Sequence, residues 1–216
     1  MSISVSDIMS RVQIQVQDET GLRWPEAELL KWLNDGQREI ALINPTLFMN
    51  TATIALTAGT LQQLPAGAVT LHRIVRNVGG NVVRTVDGGI LDTQEPDWHS
   101  ATASDAVQYL IYDDADAKHF YVYPPNDGNG SVEAVYSQSP TDLTLSSSLT
   151  LADMYANPLI NYILYRAYDK DAEFAGNADR ASRAYEMFAT QMGVSAAAHE
   201  AVRSKARTLS QTGKAG

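Results

Sequence analysis

The stretch RWPEAELLKWLNDGQREIALINPTLFMNTATIALTAGTLQQLP, residues 23–65, changes its hydrophobic period half-way, and that change decides the fold class. In its first half Leu29, Leu30, Leu33, Ile40 and Ile43 recur at helical spacing and mark one buried face. Pro25 suits the first helical position, where a missing N–H is no loss, and Glu26 and Glu28 fall in the first turn, at the positive end of the helix dipole. Pro45 ends the helix, because the residue before a proline is pushed out of helical geometry. Beyond it TATIALT (51–57) alternates with the period of a strand, Ala58-Gly59 offers a turn, and TLQQL (60–64) runs up to Pro65; together they predict a β-hairpin.

Working outward, the N-terminal side carries one more helix. Ser4 or Ser6 can cap it, Asp7 sits near its positive end, and Ile8, Val12 and Val16 form an apolar stripe. On the C-terminal side the strand pattern continues through LHRIVRNV (71–78), NVVRTV (81–86), VQYLIYD (107–113), HFYVYP (119–124) and SVEAVYSQ (131–138), with turn clusters such as PPNDGNG (124–130) between them. Residues 88–105, GGILDTQEPDWHSATASD, show no clear period and are expected to be a long loop with at most one helical turn.

After the polar linker TDLTLSSS (141–148), Leu159, Ile160, Ile163, Leu164, Ala167 and Tyr168 repeat at three and four. Gly176 as a C-cap and Asn177 as an N-cap predict a tight helical hairpin, whose second helix carries Ala181, Tyr185, Phe188 and Met192 on one face. The fold class expected is therefore α+β: a helical bundle from the N- and C-terminal helix pairs (1–50 and 150–195), an inserted small β-sandwich or barrel (51–149), and a C-terminal extension (196–216). The extension is alanine-rich and carries too little apolar surface to hold itself down.

Composition narrows the functional classes. Hydrophobic residues at 44% and charged residues at 19% describe a globular chain. No apolar run approaches the roughly 18 residues of a membrane-spanning helix, and the start lacks a signal peptide's basic flank and apolar centre, so a soluble, cytosolic product is expected. Zero cysteines remove disulfides, thiolate metal sites and thiol nucleophiles. The net charge of −9 argues against a protein that grips nucleic acid. The charge is uneven: from His199 onward Arg203, Lys205, Arg207 and Lys214 face only Glu200, leaving 12 basic and 24 acidic residues before it.

Catalytic and metal motifs fail one by one. His72, His99, His119 and His199 are too widely spaced to put two on one helix face. Asp113, Asp114 and Asp116 cluster like a calcium loop, but Lys118 and His119 stand where a glycine and a ligand are needed, so a solvated hairpin turn is the better reading. Gly79-Gly80 and Gly88-Gly89 belong to no phosphate-binding pattern, and no serine stands in GxSxG or SxxK. A glycosidase pair of distant carboxylates survives only as a weak alternative. No catalytic residue, cofactor or metal is assigned.

Recognition surfaces are the better prospect. Alternation in HFYVYP sends Phe120 and Val122 to one face and Tyr121 and Tyr123 to the other, a possible subunit or tail interface. Asn34, Gln37 and Arg38 read either as subunit contacts or as helix-face residues bonded within the bundle. The basic segment Arg203–Lys214 suits a partner's groove better than a membrane, since it lacks a hydrophobic face.

Two stretches, RWPEAELLKWLNDGQREIALINP (23–45) and YRAYDKDAEFAGNADRASRAYEMFATQMG (165–193), resemble tailed-phage head-to-tail adaptors, the connector proteins that include podovirus tail tubular proteins. Trp24, Glu28, Leu29, Trp32, Asn34, Gln37, Arg38 and Ile40, followed by TLQQLP, match that family's helix and hairpin pattern, and Asp171 through Asn177 match its C-terminal helical hairpin. The resemblance implies a structural virion protein at the head–tail junction, made in the host cytoplasm. It also implies a homo-oligomeric ring, a dodecamer, below the portal protein that contacts tail nozzle or tube proteins and passes double-stranded DNA without binding it specifically. Arg203, Lys205, Arg207 and Lys214 would then dock the portal. The competing reading is a β-rich minor tail protein that binds a receptor or carbohydrate.

Overall fold

Ser4 starts the first helix: its Oγ accepts the N–H of Asp7 at 3.1 Å, and α1 (Val5–Val16) buries Ile8 and Val12 of the predicted stripe with Val5 and Met9 added, while Val16 at its end is half-buried. A computed structural model of the chain describes residues 2–113, 115–174 and 176–193. The described chain forms two units, one from residues 2–44 and 140–193 and the other from Pro45–Ser139.

In the helical unit, α1 is followed by α2 (Glu26–Ile43), α4 (Ala156–Lys170) and α5 (177–193). The turn between α1 and α2 is organised by one carboxylate. Asp18 accepts the backbone N–H of Leu22, Arg23 and Trp24 at 3.0, 2.8 and 2.8 Å. The donation from Trp24 is the largest influence, and together with those from Arg23 and Leu22 it outweighs burial and holds the carboxyl below its ordinary range. Pro25 stands just outside α2, one residue earlier than expected, where its carbonyl accepts from Glu28 and Leu29. Trp24 is buried and its indole N–H donates to Ala167 O at 3.3 Å, tying the start of α2 to the end of α4.

The apolar stripe of α2 holds at Leu29, Leu33 and Ile40, with Trp32 added, while Ile43 at the helix end is exposed. Gly36 marks the crossing with α4: a Cβ there would lie 2.9 Å from Tyr162 Cδ1 and 3.1 Å from Leu159 Cδ2. Nearly every turn of α4 is buried, including Leu159, Ile160, Ile163, Leu164 and Ala167. On α5 the buried stripe is Ala181, Ala184, Phe188 and Met192, and Tyr185 points outward instead of joining it. Asn177 lies within α5, and its side chain donates back to Asp171 O at 3.2 Å instead of capping the helix. The expected linker is knitted into the unit: Val5 N donates to Ser147 O and Leu149 N to Ile3 O, at 3.0 and 2.8 Å.

The second unit is a sandwich of two sheets built from β1 (Met49–Ala55), β2 (Gly59–Gln63), β3 (Ala68–Asn77), β4 (Arg84–Thr85), β5 (Tyr109–Ile111), β6 (His119–Asn126) and β7 (Ser131–Gln138). One sheet has the order β1-β7-β3 and the other β2-β6-β5-β4, antiparallel throughout except for the short parallel β4–β5 pair. The predicted β1–β2 hairpin is therefore wrong. β1 pairs with β7, from Met49 opposite Ser137 to Ala55 opposite Ser131, and β2 pairs with β6. The cause is burial. Ile54 and Leu56 close one layer while Thr60, Gln62 and Leu64 face inward from the other, so the chain crosses between sheets at residues 56–59. The core between the layers includes Ile54, Leu71, Ile74, Phe120, Val122 and Val132.

The period-free stretch is more ordered than expected. Asp87 caps α3 (Gly88–Gln94) by accepting from Gly89 N at 2.9 Å, and Trp98–Ser100 form a 3-10 turn.

Two predictions follow from the helical unit. Gly36→Val forces a side chain against Tyr162 and is expected to cost about 1–3 kcal/mol in urea unfolding, where an open helix site would show little change. Asp18→Asn removes one accepting oxygen and is expected to lower the unfolding midpoint at neutral pH. Because the folded carboxyl titrates below its ordinary 3.8, the wild-type advantage is complete above that value, and the gap between the two proteins closes as pH falls through the lower folded value.

Candidate functional site

Alternation along β6 places Phe120 and Val122 in the core, 1% and 0% exposed, and turns Tyr121 and Tyr123 to the outer face. That face carries a second, smaller core. Leu91 of α3, Trp98 and Ile111 pack together there, with Val86 and Tyr123 against them. Trp98 meets Tyr121 and Tyr123 edge-on, at ring-centroid distances of 6.0 and 6.4 Å, and stacks on His99 at 3.6 Å. Its indole N–H donates to Asp92 Oδ1 at 2.8 Å, and His99 Nδ1 shares a 2.8 Å hydrogen bond with Thr60 Oγ1.

The two tyrosines consequently differ. The Tyr123 hydroxyl donates to Glu95, its ring stacks on Tyr109 at 6.2 Å, and that hydrogen bond, with desolvation behind it, raises the phenol's pKa above the ordinary value. Tyr121 is 38% exposed and lies opposite Leu61 of β2, itself 50% exposed. An aromatic ring beside an open leucine, backed by the hydrogen-bonded Trp98–His99 stack, is suited to contact with another protein.

A cleft of about 720 Å³ adjoins this patch, lined by Trp98, His99, Tyr121 and His119 among others, and Asp87, Asp92, Asp113 and Asp116 reach its wall with no lysine or arginine among them. Each carboxylate has a local task. Asp87 caps α3, Asp92 holds Trp98, and Asp113 accepts from Ala115 N at 2.9 Å. Asp116 bonds His119 Nδ1 at 3.0 Å, which holds that carboxyl below its ordinary range. Among the described residues no group of three or more His, Asp or Glu is placed to hold a metal ion, and no helix is long and apolar enough to cross a membrane. Asp114 lies outside the described residues.

The helical-unit residues divide as well. Asn34 and Gln37 are 8% and 1% exposed. Asn34 Oδ1 accepts from Leu143 N at 2.8 Å and from Gln37 Nε2 at 3.0 Å, and its Nδ2 donates to Leu143 O at 3.1 Å, so the side chain pairs with a returning backbone as a strand residue would. Both are spoken for inside the unit. Arg38 is exposed and ion-paired with Asp35, at 3.0 Å, and with Asp142. These helix residues lie in one unit and the tyrosines in the other. Arg203, Lys205, Arg207 and Lys214 lie outside the described residues.

Sequence reasoning passed over three buried amides in the sandwich, Gln62, Asn77 and Asn126. Gln62 bonds the backbone of Thr57 and Gly59 where the chain crosses between sheets, and Asn77 bonds both the N–H and the C=O of Val107. A polar residue at an inward-facing strand position was the available signal.

A search of curated protein sequences finds no match. The family model described as SU10 adaptor protein matches residues 3–211. That span takes in both helical segments and the whole β insertion, including the later strands, which the motifs in 23–65 and 165–193 do not cover. On a match over nearly its full length, the chain belongs to the SU10 adaptor protein family, a family of phage head-to-tail adaptors.

Proposed function

We propose that the chain is a structural adaptor that assembles into a homo-oligomeric ring, a dodecamer, docks coaxially below the portal, and presents its β unit to tail nozzle or tube proteins. The observation that carries this reading is the family match across residues 3–211, a span that holds both the helical and the β segments of the chain. The role is one of shape and contact, with no chemical step, and it makes the protein a virion component assembled in the host cytoplasm.

Charge supports a conduit. The β unit carries four basic residues (Arg73, Arg76, Arg84 and Lys118) against ten acidic ones, a net of −6. An acidic wall repels phosphates, so double-stranded DNA slides past without being held. The open Tyr121–Leu61 patch, with Tyr123 behind it, supplies an apolar contact for a neighbouring subunit or tail protein, and Arg38 a polar one. Arg203, Lys205, Arg207 and Lys214, on the segment of opposite charge, dock the portal.

Electron microscopy of the purified protein mixed with the portal of the same phage is expected to show rings stacked on the portal axis; a monomer indifferent to portal overturns the proposal. Removing residues 196–216 is expected to weaken portal binding by about tenfold or more, equivalent to about 1.4 kcal/mol, with the body still folded by circular dichroism. Unchanged affinity of the truncated chain assigns portal docking to another surface.

A further inference from the structure

The turn between β6 and β7, Asp127-Gly128-Asn129-Gly130, joins the two sheets of the sandwich and contains an Asn-Gly step. Such a step is chemically reactive. The glycine nitrogen gives up its proton and bonds to the asparagine Cγ, the Cγ–Nδ2 bond breaks and ammonia leaves, and water then opens the five-membered imide to aspartate or isoaspartate. Glycine favours the attack because no Cβ shields its nitrogen. Here the fold demands that glycine: a Cβ on residue 130 would lie 2.1 Å from Asp105 O and 2.3 Å from Asn126 Nδ2.

Both reacting groups are held elsewhere. Gly130 is buried, its N–H donates to Asn126 Oδ1 at 3.2 Å, and its carbonyl accepts from Leu56 N at 2.9 Å. The Asn129 side chain is turned back, with Nδ2 donating to Asp127 Oδ2 at 3.2 Å while its own N–H donates to Asp127 Oδ1 at 2.9 Å. The Asp127 carboxylate also disfavours a developing negative charge on the Gly130 nitrogen. Asn126 is in turn fixed, 1% exposed, by donation to Ser104 O and Asp105 O at 3.0 Å each. The same Asn126 oxygen accepts from Gly128 N at 2.9 Å, the nucleophile for the matching loss of water at Asp127.

We propose that Asn129 is a latent deamidation site, which Asn126 holds closed in the folded chain and which becomes reactive when this corner of the sandwich opens. The product carries a new carboxylate and, as isoaspartate, an extra backbone methylene in the link between the sheets. A copy in which the reaction has run is thus permanently marked.

The test incubates the full-length protein, folded and in urea, in the same mildly alkaline buffer and follows the tryptic peptide 119–166 by mass spectrometry. Conversion at Asn129 is expected to be slower in the folded chain by about tenfold or more, equivalent to about 1.4 kcal/mol. Asn129→Gln, which would need a six-membered ring, is expected to abolish the conversion in urea. Asn126→Ala is expected to bring the folded rate toward the unfolded one. If that variant does not fold, the wild-type comparison decides alone, together with slow hydrogen exchange of the Gly130 amide. Equal rates in folded and unfolded chain overturn the proposal, as does a conversion that persists in Asn129→Gln.

Discussion

Every backbone N–H and C=O taken out of water needs a partner, and this chain repeatedly leaves regular structure in buried places. Its answer is a set of side chains that imitate backbone. Asn34 bonds Leu143 in both directions, Asn77 does the same for Val107, Gln62 bonds Thr57 and Gly59, and Asn126 bonds four backbone groups. Asp18 does with a carboxylate what the amides do elsewhere, accepting three consecutive N–H groups. No buried side-chain nitrogen or oxygen among the described residues lacks a hydrogen-bond partner. The apolar cores supply the driving force, but these polar joints decide which segment meets which.

The helices were legible because their information is local. A stripe at three and four, a capping serine and a proline all act within a few residues, and Ser4, Leu29, Leu33 and Phe188 do what the pattern says. Strand existence was legible for the same reason, with alternation in HFYVYP sorting Phe120 from Tyr121. Strand partnership was not. TATIALT and TLQQL look like two arms of a hairpin, and nothing local says that β1 prefers β7, some eighty residues later.

The candidate surface was half legible. Tyr121 and Tyr123 were correctly sent outward, but whether an outward side chain stays open depends on what folds over it, and residues 88–105 had no period to announce α3 or the Trp98 turn. For Asn34 and Gln37 the sequence leaves subunit contact and bonding within the bundle equally open, and the structure buries both. Their burial depends on Leu143, which sequence alone does not bring to α2.

The pairing of β1 with β7 has an architectural consequence. Met49 and Ser137 lie opposite each other, so the insertion begins and ends on adjacent strands, about 5 Å apart in a sheet. A domain whose two ends meet in this way is a cassette: it can be lengthened, shortened or exchanged while its host is asked only to bridge a single strand spacing. The surface that this segment presents can therefore change without redesign of the helices that carry it.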